Sequence, residues 1–228
     1  MLTFAVFLPL AGALLVALLP RARQEDAKWI AAAVSAVVLA VSIALFIAYD
    51  RDEAGYQFVT ETTWLDSGVS DFELKYAVGL DGLSLPLVLL TAFLGLVSVL
   101  ISWRVDLRPR EYYAWLLVLE TSLLGVFTSL DFLLFFLFWE IELVPMYFLI
   151  TIWGSGNRVY SAWKYVLYTF LGSAFMLVGI LTLGFTAKTF DLRELAEIGP
   201  IEGAILPAWA IFGLISAAFL IKLPVVPV

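Results

Sequence analysis

The chain has 228 residues, 63% of them hydrophobic and 14% charged, with a mean hydropathy of +1.00. Soluble domains carry about 45–50% apolar and about 25% charged residues, so an ordinary soluble domain is excluded and a bilayer is implied as solvent. The absence of cysteine and histidine excludes a disulfide framework, thiol catalysis and Cys-ligated clusters, and it removes the default imidazole proton shuttle. The net charge of −7 comes with no basic patch of the kind that binds nucleic acid.

Apolar runs of about 20 residues cross ~30 Å of hydrocarbon. Seven such runs are predicted, at about 2–19, 29–49, 82–103, 112–129, 132–153, 162–185 and 204–228. The first has no basic segment before it, which argues against a cleaved signal peptide. The expected fold class is an all-α integral membrane protein with a single transmembrane domain over residues 1–228. Between the second and third spans, at about 50–80, Phe58-Val59-Thr60 and Leu74-Lys75-Tyr76-Ala77-Val78 read as short strands of an external hairpin. Asp191 to Glu197 reads as a short interfacial helix.

The loops set an expected orientation. Arg21, Arg23 and Lys28, then Arg104, Arg108 and Arg110, then Arg158 fall on one side. Asp50, Asp52, Glu53, Glu61, Asp66, Asp71 and Glu73 fall on the other, joined by Asp191, Glu194, Glu197 and Glu202. By the positive-inside rule the N-terminus lies on the outer, periplasmic side. The last run stops at Lys222-Leu-Pro-Val-Val-Pro-Val228 with no polar flank. A carboxylate buried in lipid is costly, so the chain is expected to be a fragment, or a truncated gene product, of a longer membrane protein.

Ionisable residues inside spans are rare and functional by default. Glu140 and Glu142 sit midway along the fifth run, in Phe138-Trp-Glu-Ile-Glu-Leu-Val-Pro145. Two residues on a helix are about 200° apart, so the two carboxylates cannot face the same neighbour, and either could be the inward one. Lys164 lies near the start of the sixth run, Lys222 within the seventh, and Glu120 within the fourth. Bland readings stand beside the functional ones: a snorkelling Lys164, a Glu120 bonded to a neighbouring helix, a Glu142 contacting another subunit, and a static Glu140–Lys222 pair. A Glu–Lys pair that opens and closes is a proton switch, because isolation drives both groups toward neutrality and pairing restores both charges. Pro145 and Pro224 are expected helix breaks. Breaks inside a membrane are tolerated where they line a protein-enclosed or watered cavity and recur at the ion sites of transporters.

These same residues carry a resemblance. Phe135 to Gly154, read as Phe-Phe-Leu-Phe-Trp-Glu-Ile-Glu-Leu-Val-Pro-Met-Tyr-Phe-Leu-Ile-Thr-Ile-Trp-Gly, resembles the fifth helix of the antiporter-like subunit M (chain 4) family of respiratory complex I. Ala162-Trp-Lys-Tyr-Val-Leu-Tyr-Thr169 resembles that family's sixth helix, and Lys222-Leu-Pro-Val-Val-Pro227 its broken seventh. Val78 to Thr91 and Leu119 to Phe127 resemble its third and fourth helices. The resemblance implies that the family's helix-five glutamate falls on Glu140, its helix-six lysine on Lys164 and its helix-seven lysine on Lys222. Those residues form the first half of a membrane-buried proton path, with Glu142 and Glu120 as secondary candidates. It implies an inverted-repeat fold of which this chain is the first part, with the C-terminal half missing.

The function this implies is a membrane-arm subunit of a redox-driven NADH or ferredoxin:quinone oxidoreductase, in a bacterial cell membrane or a thylakoid-type one. This chain would hold no redox centre. Flavin, iron–sulfur clusters and quinone would belong to other subunits, and its own partners would be membrane-arm subunits, lipid, protons and water. Two alternatives stand beside it: the homologous subunit of a multisubunit cation/proton antiporter or membrane-bound hydrogenase, and a structural membrane module whose polar residues are static.

Overall fold

A computed structural model describes residues 1–66, 73–198 and 205–223. Among the described residues the regular structure is nine α-helices, two short 3-10 helices (Arg21–Asp26 and Ser102–Arg104) and one two-stranded sheet. The helices are α1 (Leu2–Ala17), α2 (Ala27–Ala48), α3 (Ser84–Ile101), α4 (Pro109–Thr128), α5 (Phe132–Ile141), α6 (Leu143–Trp153), α7 (Arg158–Ala187), α8 (Leu192–Glu197) and α9 (Ala208–Lys222). Among the described residues, four helical stretches are long and apolar enough to cross a membrane: Arg21–Ala48, Ser84–Arg104, Phe132–Trp153 and Arg158–Ala187. The helices α1 and α9 are apolar but shorter. Seven full spans are therefore not established. The fifth run is two helices rather than one, and the last begins at Ala208 rather than near 204. The expected break at Pro224 lies outside the described residues, as do Asp71 and Glu202.

Local chemistry sets the boundaries. Arg108 takes a left-handed conformation (φ 47°) and Pro109 follows it as the first residue of α4, where its fixed φ suits a helix and no N–H is missed. Asp131 caps α5, its Oδ1 accepting from the amides of Leu133 and Leu134 at 2.9 Å each. Asp191 caps α8 in the same way, through Arg193 N at 2.9 Å. Lys188, left-handed at φ 60°, ends α7.

Strands β1 (Gln57–Asp66) and β2 (Glu73–Leu80) pair antiparallel, with Thr60 opposite Val78 and Thr62 opposite Tyr76. A register shift lies between Gln57 and Thr60, where Phe58 has φ 56°, the signature of a bulge that turns the strand. The hairpin does not hang free. Leu130 N donates to Ala77 O at 2.8 Å, Leu192 N to Leu130 O at 2.8 Å, and Phe132 N to Phe190 O at 2.9 Å. The hairpin, the α4–α5 turn and the α7–α8 turn are thereby laced into one platform at one end of the bundle.

Beneath it, Leu2, Val6, Val38, Leu45, Val78, Leu80, Leu85, Val88, Leu124 and Phe138 form one buried cluster that joins α1 to α5 with β2. Small residues allow the helices to approach closely. A Cβ on Gly125 would strike the Phe138 ring, and Cβ atoms on Gly172 and Gly179 would meet Ile221 at 3.2 Å and Ile215 at 2.8 Å. Those last two glycines seat α9 on α7.

Candidate ion-pair site in the membrane region

The site begins with a missing amide. Pro145 has no N–H to give the carbonyl of Ile141, and its ring crowds that carbonyl. The helix is interrupted there: α5 stops at Ile141, α6 starts at Leu143, and Glu142 stands between them with φ −57° and ψ −32°. Because Glu142 keeps helical torsions, the chain continues in nearly the same direction. The ladder resumes weakly, with Met146 N to Glu142 O at 3.3 Å. A carboxylate is thus carried at the seam of a span.

Lys222 is the last residue of α9, where a cation is favoured by the helix dipole. Its Nζ lies 2.6 Å from Glu142 Oε2 and 3.6 Å from the centroid of the Trp139 ring. Trp139 is three residues before Glu142, so both present the same face, and one ammonium meets a carboxylate and an aromatic face together. Trp139 is itself fixed edge-on against Phe219 of α9 at 5.3 Å and packed beside Phe135 at 5.6 Å. The side chains of Lys222 and Glu142 are 18% and 14% exposed, so little solvent screens them. Removing one member of such a pair costs about 3–5 kcal/mol, because the other charge is left uncompensated.

The sequence leaves open which carboxylate meets Lys222, and the resemblance implies Glu140. The counter-ion of Lys222 is Glu142. Glu140 lies on the other side of the helix, and its buried Oε1 has no hydrogen-bond partner. Lys164 is exposed on α7 and is not gathered into the pair. Its neighbour Tyr165 lies within Coulombic reach of Glu142.

Glu120 has a separate seat between α2, α3 and α4. It is 4% exposed, its Oε2 accepts from Ser35 Oγ at 2.8 Å, and its Oε1 has no partner. Gly95 makes the room, since a Cβ there would lie 2.6 Å from Oε1.

The platform holds a second set of paired charges. Arg193 donates to Asp191 Oδ1 through Nε at 3.0 Å and to Oδ2 through Nη2 at 2.5 Å, and it also pairs with Glu61 of β1. Lys75 lies 3.7 Å from Glu194. Burial alone would push Asp191 up, but its hydrogen bonds from Arg193 outweigh that and hold it below the usual aspartate value. Burial pushes Asp131 above it, against the two amides it caps. Among the described residues no group of three or more acids is placed to hold a metal ion.

Two features escaped the sequence reading. The Trp139 ring is a partner of Lys222, and the signal for it is the i, i+3 spacing to Glu142. The roles of Asp131 and Asp191 as helix caps were also missed, although each stands just before a helical run, where a cap is expected.

Comparison with known proteins gives this arrangement a context. Residues 129–228 match the family described as NADH:quinone oxidoreductase/Mrp antiporter, transmembrane region. NADH-quinone oxidoreductase subunit M of Rhodobacter capsulatus is 37% identical over 243 residues, covering 100% of this chain and 46% of the relative. An NAD(P)H-quinone oxidoreductase chain 4 from a Nostoc species is 39% identical over 229 residues, covering 99% of this chain and 41% of the relative. Among solved structures, a chain of respiratory complex I from Thermus thermophilus with bound NADH superposes with a TM-score of 0.82 at 27% identity, over 98% of this chain and 44% of that one. The Mrp complex from Dietzia shares the fold, with a TM-score of 0.79 at 23% identity over 97% of this chain and 23% of the other. The chain spans slightly less than half the length of the curated relatives it matches. It is an integral membrane chain similar over its whole length to part of NADH-quinone oxidoreductase subunit M/chain 4, and its residues 129–228 match the NADH:quinone oxidoreductase/Mrp antiporter transmembrane family.

Proposed function

We propose that this chain is part of a membrane-arm subunit of a redox-driven NADH or ferredoxin:quinone oxidoreductase and contributes a buried carboxylate–lysine relay for protons. The observation that carries this reading is the Lys222–Glu142 pair at 2.6 Å, at a helix seam, in an apolar bundle. Together the charges are compensated. Pulled apart, each is left in a poorly screened site, and proton transfer is the inexpensive way to neutralise it. Redox work elsewhere in the assembly would set the separation, and the pair would convert that displacement into proton movement. Glu140, with an unpartnered buried oxygen, is the next acceptor along the same span. Lys164, exposed on α7, is a further member of the path, and Glu120 is a secondary proton-binding group. Seven spans and an N-terminus on the outer side, with the Arg-rich loops inside, complete the arrangement. Flavin, iron–sulfur clusters and quinone belong to other subunits in this reading.

Substituting Lys222→Met tests it. The relay predicts an assembled, redox-active complex that no longer acidifies vesicles. Loss of the assembled complex itself would instead make the pair static glue between helices. The homologous role in a cation/proton antiporter is the second reading, supported by the shared family description. Sodium-dependent proton flux without quinone reduction would favour it.

A further inference from the structure

Aromatic residues at the Arg-rich end of the bundle mark a level. Trp29 of α2 packs edge-on against Trp103 at 4.7 Å, and Tyr112 of α4 packs against Trp153 of α6 at 5.1 Å. Lys28 lies 5.6 Å from the centroid of the Trp103 ring. Trp and Tyr collect where hydrocarbon meets headgroups, so this end of the bundle sits at headgroup depth.

At that depth two cavities meet. One, about 310 Å³, is lined by Arg21, Gln24, Arg108, Arg110 and Glu111. The other, about 420 Å³, begins at the same Arg108, Arg110 and Glu111 and runs along Leu10, Leu14, Trp115, Val118 and Phe148 between α1, α4 and α6. Three arginines face one carboxylate. Arg108 spends part of its charge on Glu111 at 3.5 Å. Arg110 Nη1 is held by Leu19 O at 2.7 Å, which fixes the guanidinium and leaves its other N–H donors available. Guanidinium groups grip phosphate through paired hydrogen bonds. The apolar floor is built from Leu14, which is 59% exposed, and from Trp115 stacked on Phe148 at 4.6 Å. A basic mouth that continues into an apolar channel at headgroup depth matches one ligand shape, a phosphate with an acyl chain attached. A soluble phosphate leaves the channel empty, and a zwitterionic lipid leaves the excess positive charge unmatched.

We propose that the groove between α1, α4 and α6 is a binding site for one anionic phospholipid, its phosphate on Arg21 and Arg108 and one acyl chain along Leu14, Trp115 and Phe148.

The test is native mass spectrometry of the detergent-solubilised chain with added phosphatidylglycerol or phosphatidylcholine. The proposal predicts one phosphatidylglycerol retained at concentrations where phosphatidylcholine is not. Each arginine near the surface contributes about 1 kcal/mol toward an anionic lipid, so the double substitution Arg21→Ala, Arg108→Ala should weaken retention roughly thirtyfold. Leu14→Trp, which fills the channel without touching a charge, should also expel the lipid. Equal retention of the two lipids, an unchanged double variant, or displacement by inorganic phosphate would each overturn the proposal.

Discussion

Substituting Glu142 and Lys222 singly and together weighs the pair directly. Lys222→Met removes a charged hydrogen bond at 2.6 Å and a cation held 3.6 Å from an indole ring. Charged hydrogen bonds contribute about 1.5–3 kcal/mol, and a desolvated cation–π contact about 2 kcal/mol. With both side chains under one-fifth exposed, the single variant should lose about 3 kcal/mol, the lower end of the range for a broken buried pair. Glu142→Gln should cost somewhat less, since the amide still offers Lys222 an oxygen. The double variant should cost about 1.5–3 kcal/mol less than the sum, because neither charge is then left alone. Unfolding in mixed micelles, followed by helical circular dichroism, gives the four stabilities. The parallel cycle with Glu140→Gln should be additive within about 0.5 kcal/mol. Additivity at 142 with coupling at 140 would refute the assignment of the counter-ion.

Pro145→Ala restores an amide for the Ile141 carbonyl and should fuse α5 and α6 into one helix. Slower hydrogen exchange of the amides around Glu142 would show it, with proton translocation reduced despite the steadier helix. Gly179→Ala puts a methyl 2.8 Å from Ile215, so α9 should lift off α7 at a cost of about 1–3 kcal/mol, readable as a lower unfolding midpoint. Gly95→Ala should displace the Glu120 carboxyl from Ser35. Infrared difference spectra should show that as a shifted carboxyl band, which Glu120→Gln abolishes. Asp191 is held below its ordinary value by Arg193. Unfolded, it takes up a proton near pH ~4; folded, it does so only at lower pH. Its contribution is therefore full above pH ~4 and lost as pH falls through the folded value. Exchange of the Leu130 and Leu192 amides, corrected for intrinsic rate, should stay slow from neutral pH down to about that point and quicken below it.

The apolar stretches at about 29–49 and 132–153 were legible because a bilayer imposes length and apolarity on every crossing helix, and both lie within stretches long and apolar enough to cross one. The hairpin was legible from its β-branched and aromatic residues. Its attachment to Leu130 and Leu192 was not, because backbone bonds between distant turns leave no mark on side-chain pattern. The seam at Glu142 follows from Pro145, yet the choice between two carboxylates about 200° apart depends on which side α9 occupies. That side is set by Gly172 and Gly179 on α7, forty or more residues from the lysine they help to place. Lys164, which the sequence offered both as a snorkelling residue and as part of the implied buried path, lies exposed on α7.

Proton uptake by inverted membrane vesicles, measured for Glu142→Gln beside Glu140→Gln with quinone reduction and assembly checked in each, tests the central claim most directly. If the Lys222–Glu142 pair is the working relay, Glu142→Gln assembles, reduces quinone and fails to move protons, as Lys222→Met does. Normal proton uptake by Glu142→Gln, with Lys222→Met inactive, would contradict the account and return the counter-ion to Glu140.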